Sequence, residues 1–171
     1  TSATNLNPNP GYGTHISGSI TGANGFDATG SGNPSLFIFD HVGQTWGGIN
    51  NTDMSTLDAG APYLLMVRGD RSIDLTSNTS TPTNTTLRAT GTLRTGSVNA
   101  TPSMAVGAGG FSFIGNPYQA VVDYGSLTTT NLTDFIYVWD ASIAGTNGRG
   151  GYVTVEVSSN SIVPGPSSSD A

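Results

Sequence analysis

Apolar and polar residues alternate with a period of two in short runs along the whole chain, and Gly, Asn, Pro or Asp closes each run. That is the pattern of half-buried strands joined by tight turns. The runs predict strands over Thr14–Ile20, Leu36–Asp40, Tyr63–Arg68, Thr85–Thr90, Leu93–Val98, Phe111–Ile114, Ala120–Tyr124, Asp134–Trp139 and Tyr152–Val157. In the last of these Val153, Val155 and Val157 alternate with Thr154 and Glu156, so one face is expected to be buried and the other wet. Leu36-Phe37-Ile38-Phe39 and Phe135-Ile136-Tyr137-Val138-Trp139 are apolar on both faces, which predicts two central strands. No run of helical period competes. The expected fold class is all-β, a β-sandwich or jelly roll of about nine to twelve short antiparallel strands with Greek-key connections.

Loops rich in small polar residues are expected at Gly22–Asn33 and Thr76–Thr86. The chain divides into an N-terminal extended segment or linker at residues 1–12, the sandwich domain at 13–158 and a C-terminal linker or tail at 159–171, where Pro164-Gly165-Pro166 and a serine run stand. One internal echo is visible: Leu36–Asp40 and Ile136–Asp140 both end an apolar run on aspartate. Either duplicated strands or the habit of aspartate as a turn opener explains it.

Composition narrows the function classes. Charged residues are 9% of the 171, against about 25% in an ordinary soluble domain. All five cations are arginine, and Glu156 is the sole glutamate, so helix formers are scarce. A formal net charge of −6 argues against nucleic acid as a partner, because phosphate binding needs clustered cations. No stretch approaches the roughly 18 apolar residues of a membrane helix, so no membrane insertion is expected. The chain opens at Thr1 without an initiator Met or a signal-peptide pattern and reads as a mature or excised soluble piece. Zero cysteine removes disulfides, thiolate catalysis and zinc ribbons. A lysine-free surface of hydroxyls and amides is what an exported protein carries, and the expected location is extracellular or at the cell surface.

Candidate chemistry is sparse. The Gly-x-Ser-x-Gly turn of serine hydrolases is absent, and His15 and His41, the two imidazoles, sit among ordinary polar neighbours at strand ends. Glycoside hydrolysis requires two opposed carboxylates; several aspartates exist, but Glu156, the sole glutamate, lies on an alternating strand with its side chain expected to face water. No catalytic residue is assigned and no enzyme activity is expected. Gly107–Gly110 and Gly148–Gly151 lack the Lys-Ser/Thr ending of a phosphate loop and read as turns. No cofactor is expected; Asp27–Asn33 and Asp53–Asp58 gather oxygen ligands and admit a loop calcium, although as turn formers they need none. Arg68-Gly69-Asp70 spells the tripeptide that integrins read, and reads here as a tight turn after a strand. Asn50, Asn78, Asn84, Asn99 and Asn131 each open an Asn-x-Ser/Thr site. Trp46, flanked by Gln44, Thr45 and two glycines, is the candidate platform for a sugar ring, with core packing as the competing role. Arg68, Asp70, Arg71, Asp74, Arg88 and Arg94 are candidate structural ion pairs, with Arg88 and Arg94 placed to reach Asp70 or Asp74.

Val67-Arg68-Gly69-Asp70-Arg71-Ser72, Thr86–Gly96, Gly115-Asn116-Pro117-Tyr118-Gln119 and Tyr137-Val138-Trp139-Asp140 stand in this order. In that order they resemble a β-rich module of large surface and secreted proteins of the Bacteroidota, exported by type IX secretion. The resemblance spans residues 33–157 and implies surface location and modular architecture; it brings no catalytic residues. The expected function is a non-enzymatic extracellular structural module of a surface fibre, adhesin or surface layer, glycosylated on its Thr, Ser and Asn surface. Its expected partner is itself or tandem copies, joined by repetition or by strand addition. The alternative is a carbohydrate-binding β-sandwich module that takes polysaccharide on Trp46.

Overall fold

A computed structural model describes residues 11–77, 79–100, 104–140, 142–143 and 150–163. Among them the chain is all-β, with no helix longer than a single 3-10 turn. It forms two compact units, Thr1–Val121 and Val122–Ala171.

The N-terminal unit holds five strands: β1 (Ser17–Ser19), β2 (Asp27–Ala28), β3 (Leu36–Asp40), β4 (Thr45–Gly48) and β5 (Tyr63–Leu65). β1 and β2 pair in parallel, with Ser17 opposite Asp27. β3 lies between β4 and β5, antiparallel to both, with Phe39 opposite Trp46 and Phe37 opposite Leu64. The two apolar faces of β3 explain its central place. One face sends Leu36 against Ile16 and Phe26, where Ile49, Tyr63 and Leu65 close the core. The other sends Phe39 into a ring cluster with Trp46, Phe113 and His41, at centroid distances of 4.5–5.1 Å.

The C-terminal unit holds β6 (Phe135–Asp140), β7 (Gly151–Glu156) and β8 (Ser161–Val163) in the antiparallel order β6-β7-β8. All six residues of β6 pair with β7, whereas β8 pairs only with Thr154–Glu156. β6, expected to be central from its two apolar faces, is an edge strand of this sheet, and its Trp139 is 51% exposed. Residues 161–163, expected in a tail, form β8.

Several expected strands do not form. Thr85–Thr90 contributes one parallel bridge, between Tyr12 and Thr86. Leu93–Val98 is exposed throughout, its apolar side chains having no surface to cover. Residues 111–113 run beside β3 and its turn, but side chains supply the ladder. Gln44 donates from Nε2 to the Phe111 carbonyl (3.0 Å) and accepts at Oε1 from the Phe111 amide (2.7 Å). His41 Nε2 lies 3.0 Å from the amide and 2.9 Å from the carbonyl of Phe113.

Candidate functional site

The richest cluster of charged side chains forms where β1, β2 and the turn after β5 meet. Asp27, which opens β2, is only 7% exposed. Arg71 grips its carboxylate with both guanidinium ends, Nη2 on Oδ1 at 2.7 Å and Nη1 on Oδ2 at 2.9 Å. The Ile16 amide donates to Oδ2 at 2.9 Å, and His15 Nδ1 lies 3.3 Å from the same atom. Burial alone would raise the Asp27 pKa; the contacts from His15, Arg71 and the Ile16 amide outweigh it and bring it down to about 2. Both ring nitrogens of His15 are buried and lack an aligned hydrogen bond among the described residues.

Arg68-Gly69-Asp70 turns inward. Asp70 is 5% exposed, and its carboxylate accepts from the Gly11 amide (2.6 Å), the Ser72 amide (2.9 Å) and the Ser72 hydroxyl (2.5 Å). The Ser72 hydroxyl, then the Gly11 and Ser72 amides, hold its pKa down to about 2. Gly69 carries φ +148, and a β-carbon there would sit 2.6 Å from Ile73 Cδ1. With its aspartate spent on its own backbone, the tripeptide does not offer the carboxylate that an adhesion receptor would take.

Of the residues singled out as ion pairs, Arg71 alone forms one among the described residues, with Asp27 and not with Asp70 or Asp74. Arg68 Nη2 donates to the Ser77 carbonyl at 2.8 Å. Asp74 accepts from the Thr76 hydroxyl and amide, and those bonds, with the charge of Arg68 beyond them, lower its pKa. Arg88 stacks over the Tyr12 ring with its guanidinium carbon 4.0 Å from the centroid, and Arg94 is exposed. Trp46 is half-buried in ring contact with Phe39 and Phe113, the packing role. Asp27, expected in a loop as a turn former or a calcium ligand, is instead the buried carboxylate of an ion pair.

Several other aspartates and asparagines close turns. Asp40 accepts from the Val42 amide, Asp123 from Gly125, Asp140 from Ser142 and Asn51 from Asp53, each two residues on. Asp40 and Asp140, the residues of the internal echo, thus perform the same local task. Among the described residues no three His, Asp or Glu side chains gather as a metal would require.

Beside the Asp27–Arg71 pair a cleft of about 510 Å³ opens between the loops at residues 29–35 and 66–76. Met66, Ile73 and Leu75 give it apolar surface, Ser31, Asn33 and Thr76 give it polar atoms, and Arg68 gives it a cation. No family model matches the chain, and neither the curated proteins nor the solved structures contain a match to it.

Proposed function

We propose that the chain is a non-enzymatic extracellular structural module, a building block of a surface fibre, adhesin or surface layer, whose partners are copies of itself. Its export and its place among the Bacteroidota surface modules belong to the same proposal and rest on the ordered motifs. The observation that carries the reading is the sheet of the C-terminal unit. On one face Val138 and Ile162 are 48 and 72% exposed, on the other Tyr137, Trp139 and Tyr152 are 50, 51 and 51% exposed, and no described residue of that unit is fully buried. A three-stranded sheet gains independent stability by burying a face, and large apolar patches mark contact surfaces. The carboxylates of Asp40, Asp74, Asp123 and Asp140 close turns, consistent with a scaffold.

Light scattering after size exclusion, with negative-stain microscopy of material from the native source, tests the proposal. Filaments, or a mass that rises with concentration, are expected, and Val138→Asp should abolish the rise. A single monomeric species at every concentration, with native material no longer than one module, would sink it.

A further inference from the structure

We infer that the cleft of the N-terminal unit binds an acidic saccharide, with Arg68 receiving the carboxylate and the cleft hydroxyls and Asn33 receiving the sugar oxygens. This goes beyond the structural reading and rests on a different part of the molecule.

The first observation is the state of the cation. Arg71 is consumed by Asp27, but Arg68 has no carboxylate within ion-pair distance among the described residues, although the chain carries a formal charge of −6. Asp74 attracts it from beyond that distance. The bond to the Ser77 carbonyl occupies Nη2, which leaves Nε and Nη1 without an acceptor among the described residues. Nη2 has a second hydrogen that Ser77 does not take, and beside a hydrogen of Nε or of Nη1 it completes one fork for a planar carboxylate on this half-buried guanidinium.

The second observation is the surface around it. The cleft, about 510 Å³, is within the usual range for small ligands, roughly 300–1,000 Å³. Met66, Ile73 and Leu75 offer apolar contact for the C–H face of a pyranose, and Ser31, Asn33 and Thr76 offer hydroxyl and amide groups for its oxygens. Asp70 also lines the cleft, but three internal donors already engage its carboxylate, so it competes weakly for Arg68. The other basic side chain in the lining, His15, has both nitrogens buried. One usable cation suits a monoanionic polyol better than a phosphate dianion.

The test is calorimetric titration of the full chain with oligogalacturonate, alginate and hyaluronan fragments, neutral galactose oligomers and inorganic phosphate. At least one acidic oligosaccharide should bind at least tenfold more tightly than its neutral counterpart and than phosphate. Arg68→Gln should weaken that binding at least tenfold, and Arg94→Gln, at an exposed arginine outside the cleft, should leave it unchanged. Asn33→Trp, at an exposed position of the lining that leaves the Arg68–Ser77 bond in place, should block binding even if Arg68→Gln fails to fold. The inference is overturned if no acidic member binds at millimolar concentration, if neutral sugar or phosphate binds equally well, or if Arg68→Gln or Asn33→Trp binds as the parent does.

Discussion

Replacing Asp27 with Asn should cost about 3–5 kcal/mol at pH 7, and the cost should shrink on acidification. The substitution keeps an oxygen for the Ile16 amide but removes the charge that faces Arg71, whose side chain is only 10% exposed. Removing one partner of a buried, hydrogen-bonded pair leaves the other charge desolvated, which accounts for about 3–5 kcal/mol. The pH dependence follows from the native pKa of about 2 against the usual 3.8. Because the folded value is the lower one, this stabilisation is fully present above about pH 4 and is lost as pH falls toward 2. At about 1.36 kcal/mol for each pH unit, the gap is worth about 2 kcal/mol. The assay is urea unfolding of parent and Asp27→Asn at pH 7, 4, 3 and 2, in a Trp139→Phe background so that Trp46 alone reports on the N-terminal unit. The difference between the two proteins should fall by about 2 kcal/mol between pH 4 and pH 2. A difference below 1 kcal/mol at pH 7, or one that does not change with pH, would refute the account.

Three further outcomes follow from local geometry. Gly18→Ala should destabilise the N-terminal unit by about 1–3 kcal/mol, since a β-carbon there would lie 2.8 Å from the Phe26 ring at the core; thermal melting checks it. Gln44→Ala should cost about 1–2 kcal/mol and expose the Phe111 amide to hydrogen exchange, because the Gln44 side chain makes both backbone bonds to that residue. The Asp140 carboxylate, held below its usual range by the Ser142 hydroxyl and amide, should titrate below pH 3.8 by carbon-detected NMR and return toward it in Ser142→Ala.

How much of this was legible in the sequence depends on what each residue had to reveal. The all-β class was readable from the period-two runs, and the central place of β3 from its two apolar faces, because both faces find a cover. The same signal misled at β6, since periodicity reports which faces are apolar and not what meets them. β4 escaped because Gly47 and Gly48 blank the alternation after Trp46, and β8 because Ser161-Ile162-Val163 is too short to show a period. Residues 111–113 were read as a strand because their extended run is real; the ladder made by Gln44 and His41 has no backbone pattern to find. In the site, the turn at Arg68-Gly69-Asp70 was readable from its composition. The Asp27–Arg71 pair was not, because 44 residues separate its members and nothing local couples them.

The two tryptophans allow the assembly reading to be separated from the stability of the fold. Trp46 lies in the N-terminal unit, which has its own core of Ile16, Phe26 and Leu36, and Trp139 lies in the C-terminal unit, whose sheet keeps its apolar side chains open. Full burial of a large apolar side chain contributes about 1.5–3 kcal/mol, so an assembly that covers both faces, with the exposed portions of Val138 and Ile162 on one and Trp139 on the other, adds about 3–5 kcal/mol to that sheet alone. Such stabilisation is linked to protein concentration, whereas a core within one chain is not. Fluorescence melts of Trp46→Phe and Trp139→Phe variants over a hundredfold range of concentration should therefore diverge. The Trp139 transition should begin lower and climb with concentration, while the Trp46 transition stays fixed. Coincident transitions that ignore concentration would mean that the C-terminal sheet is stable without a neighbour, and the apolar surface of β6–β8 would lose its role as the assembly face.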